Sequence, residues 1–328
     1  MNRFQWLEAR SLAEASEAAA AGATVKSGAI DLLDLMKEGL LAPTRVVSLR
    51  RIAGLNAIAE EQGGGLRIGA TATLAEVAAH PLVRARYRAL GEAAAGAASP
   101  QIRNVATLGG NLLQRPRCWY FRSAHHPCVR KGGEACFAFA GENQYHAIFA
   151  HSGCAIVHPS TPATALVALR ASVELVAAKG RKRVVPLEGF FVLPEQDITR
   201  ENDLQRGEIL SAVLLPAAGG ARSAHLRQGE LDSFDWPLAD VAAVLDTGAG
   251  GVCREASIVL GAAAPVPYRA KAAEQALTGK PVTEENARAA ARAALEGAMP
   301  LSGNAYKLPI FETLVRRTIL AAMNGGSA

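Results

Sequence analysis

The amino-acid sequence predicts an α+β protein built from two or three substructures. The chain has 328 residues, which is more than one ordinary hydrophobic core accommodates. Its 50% hydrophobic and 20% charged content excludes a disordered chain. Strand patterns come in runs and helical patterns lie beside them. This arrangement favours α+β architecture over a doubly wound parallel sheet.

The N-terminal part of the chain, residues 1–53, has the pattern strand, helix, strand, helix, strand. An Ala- and Glu-rich stretch at 11–21 predicts a helix, and 23–30 predicts a short strand that runs into a glycine turn. Residues 31–39 carry apolar side chains at helical spacing, with Asp31 as the expected N-cap and Gly39 as the C-terminal stop. A strand is expected at 45–52.

A second unit begins near Gly54. Three consecutive glycines, 63–65, indicate a tight turn between two short strands. Beyond it we expect helices at 73–79, 81–96 and 162–171, strands at 146–150, 154–160 and 209–216, and a hairpin at 172–187 that turns at Lys179-Gly180.

The segment Pro216–Ala221 interrupts these patterns and predicts a domain boundary. We therefore expect one domain at 1–218, with subdomains at about 1–53 and 54–218, and a second domain at 219–328. In the second domain we expect strands at 223–228 and 251–264 and helices at 271–279, 283–299 and 310–323.

Several functional classes lack support in the sequence. Pro and charged residues interrupt the most apolar stretch, Cys154–Ala178, so no membrane span is expected. Glu8 and Arg10 interrupt what would be the apolar core of a signal peptide, so we expect no export signal in this chain. The net charge of +5 is not gathered into one long tract, which disfavours nucleic-acid binding. Motifs of the types GxGxxG, P-loop, HExxH and GxSxG are absent from the sequence.

Four of the five cysteines lie close together in sequence, with the spacing C-x9-C-x7-C-x17-C, whereas Cys253 stands alone. No CxxC pair occurs, which excludes zinc-finger, thioredoxin and bacterial ferredoxin patterns. Three interpretations stay open: two disulfides in an exported protein, four buried structural thiols, or four thiolate ligands of an iron–sulfur cluster. Five basic residues and no acidic ones lie in Arg115–Lys131, and they would offset the charge of an anionic cluster. The four clustered cysteines are Cys118, Cys128, Cys136 and Cys154.

Two glycine turns are candidates for binding a phosphate. In Lys26–Asp31 a strand turns into a helix, so backbone N–H groups and a helix N-terminus could meet an anion. In Thr107–Asn111 paired glycines permit close backbone approach, and Gln101 and Asn104 add polar side chains upstream. Each turn alone is a common feature of proteins, so neither identifies a function by itself.

Taken in order, the motifs resemble one family: the FAD-binding (medium) subunits of molybdenum hydroxylases. The resemblance covers essentially the whole chain. Its cysteine segment is similar to that of the branch with an extra [4Fe-4S] cluster, as in the flavoprotein subunits of periplasmic aldehyde oxidoreductase and 4-hydroxybenzoyl-CoA reductase. The motifs are KSGAIDLLDLMK, SPQIRNVATLGGN, RCWYFR with the four cysteines, HPS, and NAYKLPIFETLVRR.

The resemblance implies a PCMH-type FAD-binding fold in two subdomains. A C-terminal α+β domain like that of the carbon monoxide dehydrogenase flavoprotein would follow it. A [4Fe-4S] cluster would be held in a loop at about 115–154 by Cys118, Cys128, Cys136 and Cys154. The residues implied to contact FAD are Lys26, Ser27, Gly28, Ala29, Ile30, Asp31, Gln101, Asn104, Thr107, Gly109, Gly110, Asn111, Ser160 and Thr161.

The same resemblance implies an oxidoreductase subunit without catalytic residues for an organic substrate. Its partners would be a molybdopterin-containing large subunit and a small subunit with [2Fe-2S] clusters, in a heterotrimer or its dimer. Electrons would pass from molybdenum through those clusters to FAD and then to an external acceptor. The location would be cytoplasmic, or periplasmic by co-export with a signal-bearing partner. The alternative is an FAD-binding oxidoreductase with a structural disulfide loop and no cluster.

The sequence departs from the family pattern at two positions. Ala29 stands where relatives usually have a second glycine, and its methyl group could crowd the approach of a phosphate. Thr161 stands after HPS where many relatives have Asp, so one charge is lost while a hydroxyl donor and acceptor remains. We expect Cys253 to be a core thiol, His158 to be structural, and His125 and His126 to face solvent or a partner.

Overall fold

The computed structural model describes residues 2–231 and 234–324. This part of the chain contains a three-stranded parallel sheet, a five-stranded antiparallel sheet and a four-stranded antiparallel sheet. Helices pack beside the sheets, which confirms the predicted α+β class. No helix among the described residues is both long and apolar enough to cross a membrane.

The N-terminal unit alternates strands and helices as predicted. Its sheet has the order β1-β3-β2 with parallel pairing, and Ser11 caps the first helix by accepting a hydrogen bond from the Glu14 N–H. The elements are β1 (Gln5–Glu8), α1 (Leu12–Ala20), β2 (Thr24–Lys26), α2 (Ile30–Lys37) and β3 (Arg45–Ser48).

The second unit is built on the antiparallel sheet β4-β5-β8-β6-β7. Its strands are β4 (Ile58–Glu60), β5 (Leu66–Gly69), β6 (Ser172–Val176), β7 (Lys182–Pro186) and β8 (Ile209–Leu215). Its helices are α3 (Leu74–Ala79), α4 (Pro81–Arg86), α5 (Arg88–Gly96), α6 (Pro100–Arg103), α7 (Leu108–Leu112), α8 (Trp119–Arg122) and α9 (Thr161–Ala168).

The C-terminal unit is an antiparallel sheet of order β12-β11-β10-β9 covered by helices. Its strands are β9 (Arg222–Gln228), β10 (Ala239–Thr247), β11 (Cys253–Gly261) and β12 (Tyr268–Arg269). Its helices are α10 (Lys271–Leu277), α11 (Glu284–Ala293) and α12 (Lys307–Met323).

The largest core joins the second and C-terminal units. It contains Val173 and Val213 of the five-stranded sheet, Leu166 of α9, and Ala242 and Val259 of the four-stranded sheet. Every residue of α9 is buried, because this helix lies between the two antiparallel sheets. The N-terminus of α9, which begins at Thr161, is therefore held rigidly by packing on both sides.

Several sequence-based predictions of secondary structure are wrong: the predicted helix 81–96, for example, is two helices, Pro81–Arg86 and Arg88–Gly96. Residues 146–150 and 154–160 form no strand, because their N–H groups make single contacts instead of a ladder: Ile148 and Phe149 both donate to the Ala263 carbonyl. Strand β10 was missed, since its Ala-rich sequence has low strand propensity and only burial between layers favours it. Asp31 is not the N-cap of α2, because Ala29 occupies that position.

Candidate functional site

The two predicted glycine turns meet in the folded chain. The Ser27 and Thr107 hydroxyls are hydrogen-bonded at 2.8 Å, although 80 residues separate them in sequence. A Cβ atom at Gly28 would lie 2.3 Å from the carbonyl oxygen of Val105. Only glycine allows this approach, so turn 26–31 rests directly on segment 105–107.

The first turn presents a helix N-terminus. Ala29, the N-cap of α2, has φ 67°, and no side chain of the described residues caps the helix there. The first N–H groups of a helix have no intrahelical partner and carry partial positive charge. Lys26 lies in the same turn, and burial, together with the nearby charge of Arg50, lowers the pKa of Lys26. The arrangement suits a bound anion such as a phosphate.

The second glycine turn is fixed by contacts with Ala70 and Thr107. The Gly109 N–H donates to the Ala70 carbonyl at 2.9 Å, and a Cβ atom at Gly109 would lie 2.8 Å from the Ala70 Cβ. Thr107 caps α7 by accepting from the Gly110 N–H at 3.3 Å. Neither glycine has positive φ. Both positions therefore have little room for a side chain. At Gly109 the backbone of Ala70 is close, and at Gly110 the Thr107 hydroxyl is close.

A third predicted segment joins these turns. The Ser160 hydroxyl donates to the Asn111 Oδ1 at 2.6 Å and accepts from the Ala163 N–H as the N-cap of α9. Thr161 is the first residue of α9 and is buried. His158 is also buried, and this burial lowers its pKa to about 3. It is therefore neutral, and its Nδ1 accepts from the Ser160 N–H at 3.3 Å.

Two residues predicted to contact FAD lie outside the place where segments 26–31, 107–111 and 160–161 meet. Gln101 lies in α6, Asn104 ends that helix, and both side chains are exposed. Among the described residues, neither side chain is hydrogen-bonded to another predicted site residue.

The carboxylate of Asp31 is occupied by groups of the cysteine segment. It accepts hydrogen bonds from the Arg115 N–H at 2.9 Å and from Arg122 at 2.7 Å, and it forms an ion pair with Arg117 at 3.0 Å. Its side chain is 15% exposed, so these ion pairs are largely shielded from water. Helix α2 is thereby joined to the start of the cysteine segment. The sequence did not indicate this role, because the partners lie more than 80 residues away.

The four clustered cysteines converge as free thiols. Burial, with a smaller contribution from the nearby Cys154 and Cys128 thiols, raises the pKa of the Cys118 thiol to about 11. A hydrogen bond joins Cys136 and Cys154; it raises the pKa of Cys136, as does burial, and it lowers the pKa of Cys154. Cys253 is buried in β11, as expected for a core thiol.

The surroundings of these thiols suit an anionic group. The Arg130 side chain is 1% exposed and lies beside Cys154, where its charge lowers the pKa of that thiol. The Arg130 Nη1 donates to Glu201 at 3.0 Å, but its buried Nε and Nη2 have no hydrogen-bond partner within the part of the chain that the structure describes. The N–H groups of Phe121 and Tyr120 lie against the Cys118 sulfur.

The four thiols do not form a site for a single metal ion. Within 2–231 and 234–324, no three His, Cys, Asp or Glu side chains are close enough together to hold one metal ion. A [4Fe-4S] cubane places each thiolate on a different iron, so its four ligands need not touch. Four soft thiolates with buried cationic and N–H donors around them are the ligand chemistry that such a cluster requires.

The cysteine segment also packs on α2. Leu35 of that helix shares an apolar cluster with Phe121 and Cys128, and Cys118 and Phe137 border it. The loop is tight, since a Cβ atom at Gly133 would lie 1.6 Å from the Pro127 carbonyl oxygen. The helix that begins at the first glycine turn therefore has Cys118 and Cys128 against its side.

One residue near the thiols was missed by sequence reasoning. The His146 Nε2 lies 3.2 Å from the Cys118 sulfur, and the residue is buried. The apolar segment around it was predicted as a strand, and the available signal was only its place between Cys136 and Cys154. His125, by contrast, is exposed as expected, and His126 contacts the Ser123 hydroxyl at 3.1 Å.

Comparison with known proteins places this geometry in a family. Residues 2–218 match "FAD binding domain in molybdopterin dehydrogenase", and residues 224–322 match "CO dehydrogenase flavoprotein C-terminal domain". The chain belongs to the FAD-binding medium subunits of molybdenum hydroxylases.

Individual relatives of this medium subunit align with it over nearly its whole length. It is 33% identical to the aldehyde oxidoreductase FAD-binding subunit PaoB of Escherichia coli, over 98% of both chains. It is 28% identical to the carbon monoxide dehydrogenase medium chain of Hydrogenophaga pseudoflava, over 92% of this chain and 89% of that one. A solved carbon monoxide dehydrogenase structure from Hydrogenophaga pseudoflava superposes with a TM-score of 0.78, at 28% identity, over 99% of both chains.

Membership in this family confirms the predicted resemblance and fold class. The medium subunit is a component of an oxidoreductase, and its first domain is an FAD-binding domain. Its Ala29 stays notable, because a non-glycine residue with φ 67° sits at the N-terminus of α2. The individual FAD contacts and the four cluster ligands stay predictions of the resemblance.

Proposed function

We propose that this chain is the electron-transferring flavin subunit of a molybdenum-containing dehydrogenase complex. FAD would be held where the three segments 26–31, 107–111 and 160–161 meet, with Gln101 and Asn104 at its edge. The observation that carries the proposal is the Ser27–Thr107 hydrogen bond, which joins the two glycine turns at the N-terminus of α2.

Different residues of the chain would bind different parts of FAD. Backbone N–H groups at the start of α2, with Lys26 beside them, would bind the pyrophosphate. Gly28 and Gly109 let the backbone approach closely, because neither position has room for a Cβ atom. Asn111 and Ser160, already hydrogen-bonded to each other, would orient the ribityl or ring end. The bound flavin would supply two-electron and one-electron redox chemistry.

The four thiols would hold a [4Fe-4S] cluster in the loop 115–154. Cys118, Cys128, Cys136 and Cys154 supply four soft ligands, and Arg130 places a buried positive charge beside them. Because this loop packs on α2, the cluster would lie next to the flavin-binding turn. All five cysteines are free thiols, which gives no support to a structural disulfide loop.

The relatives suggest the partners. Several are described as a medium chain, a medium subunit or a FAD subunit, and one matched structure concerns an enzyme whose molybdenum cofactor lacks its Mo-pyranopterin moiety. We infer that this chain assembles with a molybdopterin-containing large subunit and a small [2Fe-2S] subunit. The division at 1–218 and 219–328, and a cytoplasmic or co-exported periplasmic location, belong to the same proposal.

Cofactor analysis of the purified chain tests the binding sites. We expect one FAD, four irons and four acid-labile sulfides per chain, by the definition of the cluster. Cys128→Ser should lose the iron, because a hard alkoxide replaces a soft thiolate, whereas the matched variant Cys253→Ser should keep it. Iron unchanged in Cys128→Ser, or absent from the wild type after anaerobic reconstitution, would refute the cluster.

Turnover by the isolated chain tests the functional assignment. With a chemical reductant and an artificial acceptor, the FAD-loaded chain should show diaphorase-like activity. It should not hydroxylate an aldehyde or a purine, since we assign the organic chemistry to the molybdopterin subunit. Hydroxylation by the isolated chain would contradict the proposal directly.

A further inference from the structure

His146 is a buried polar residue that the flavin site does not use. The residue is 3% exposed, and its Nε2 lies 3.2 Å from the Cys118 sulfur. Among the described residues, its Nδ1 has no hydrogen-bond partner. A buried imidazole with a single polar contact is costly unless that contact is strong. The sulfur contact is therefore the one that justifies a histidine at this position.

The C-terminal unit holds this histidine in place. Its carbonyl oxygen accepts hydrogen bonds from the Asn304 side chain at 3.0 Å and the Lys307 ammonium at 3.1 Å. Both of these side chains are fully buried. The imidazole packs edge-on against Trp119, with 5.4 Å between ring centroids. Backbone and ring are thus both restrained, so Nε2 is directed at the sulfur by the surrounding fold.

We propose that His146 donates its Nε2–H to the sulfur of Cys118 and thereby raises the reduction potential of the iron–sulfur cluster. This inference rests on the proposed cluster. A cluster-bound thiolate carries no proton, so a hydrogen bond between these two atoms must have the imidazole as its donor. Such a bond stabilises the more negative, reduced state over the oxidised state, which makes reduction easier. His146 is a positioning residue that acts through Cys118.

An EPR-monitored redox titration of the full-length chain tests this role. We expect His146→Leu to keep four irons and to lower the midpoint potential of the cluster. Loss of one charge-assisted hydrogen bond corresponds to about a tenfold change in the reduction equilibrium, or about 59 mV for a one-electron couple. His146→Gln keeps a donor and should fall between wild type and His146→Leu. The control His151→Leu should leave the potential unchanged, because that imidazole contacts the Met299 carbonyl at 2.8 Å.

A direct measurement keeps the inference testable if His146→Leu fails to retain iron. Wild-type chain labelled with ¹⁵N-histidine should show a nitrogen coupling to the reduced cluster in pulsed EPR, and His146→Gln should lose it. An unchanged potential in an iron-replete His146→Leu chain would overturn the inference, and so would absence of the coupling in wild type. Iron and sulfide analysis separates the two ideas: a wild type without a cluster refutes the proposed cluster itself and the inference with it.

Discussion

Ala29 combines a strained backbone with a place in the proposed flavin site. An L-residue in the left-handed region costs about 1–2 kcal/mol, and φ at Ala29 is 67°. Glycine adopts this conformation without that cost but is more flexible when unfolded, which offsets about half of the gain. The methyl group therefore costs stability at a point where the backbone should approach a phosphate.

We predict that Ala29→Gly stabilises the chain by about 0.5–1 kcal/mol and that FAD binds equally well or more tightly. Urea denaturation and FAD titration of the apoprotein would measure both effects. Ala289→Gly is the matched control, because this exposed alanine lies inside helix α11. There the same substitution should destabilise by about 1 kcal/mol. A loss of FAD affinity in Ala29→Gly would contradict the assignment of this turn.

We predict that Gly28→Ala removes FAD and destabilises the chain by about 1–3 kcal/mol through overpacking. The added methyl group would lie 2.3 Å from the Val105 carbonyl oxygen and would force the two glycine turns apart. Gly189→Ala is the control, because no atom lies within 4 Å of a Cβ atom built there. FAD content after gel filtration is the measurement, and full FAD in a folded Gly28→Ala chain would argue against this site.

At the scale of elements, the contact between α2 and the cysteine segment depends on Asp31. This carboxylate joins the N-terminal unit to the loop through Arg115, Arg117 and Arg122. Asp34 also pairs with Arg122, at 2.9 Å, but its side chain is 48% exposed. Buried and exposed carboxylates on one helix thus provide a matched pair for experiment.

We predict that Asp31→Asn destabilises the chain by about 2 kcal/mol, because it removes the shielded one of the two carboxylates that pair with Arg117 and Arg122. Asp34→Asn should cost less than about 1 kcal/mol, since water screens an exposed pair. Limited proteolysis should then cut residues 115–154 faster in Asp31→Asn than in Asp34→Asn. Equal cleavage of the two variants would show that Asp31 does not fasten the loop.

At the scale of the whole molecule, Lys307 ties the C-terminal unit to the segment between Cys136 and Cys154. Its ammonium donates to the carbonyls of His146 and Ala262 in a fully buried position. Burial lowers the pKa of Lys307 to about 7, whereas the unfolded chain keeps the ordinary value of 10.5. Between these two values the unfolded state binds more protons, so this residue makes stability rise with pH.

We predict that replacing Lys307 by Met removes this rise. The stability of wild type relative to Lys307→Met should increase from pH 7 to pH 9, by at most about 1.4 kcal/mol per pH unit. Urea midpoints at the two pH values would measure it. Lys280→Met, at an exposed lysine of the same unit, should follow wild type. Parallel pH profiles for wild type and Lys307→Met would contradict the lowered pKa.

The sequence by itself determined the features that depend on local chemistry. The α+β class, the two glycine turns and the cysteine quartet follow from residue types and their spacing, and the family resemblance follows from their order. Gly28 was part of the first glycine turn, although the requirement for glycine there comes from the approach of the Val105 carbonyl oxygen. Ala29 could be singled out by its departure from the family pattern, but its positive φ was not predicted.

Only the tertiary structure decided which side chains meet. The partners of Asp31 lie more than 80 residues away, and the contact between Ser27 and Thr107 also spans 80 residues. Hydrogen bonds from Asn304 and Lys307, near the C-terminal end of the sequence, hold His146 beside Cys118. Strand β10 forms despite its alanines because it is buried between packed layers. A periodic pattern in the sequence shows which face of an element is buried. It does not show which distant residue that face contacts, so these contacts appear only when the chain is folded.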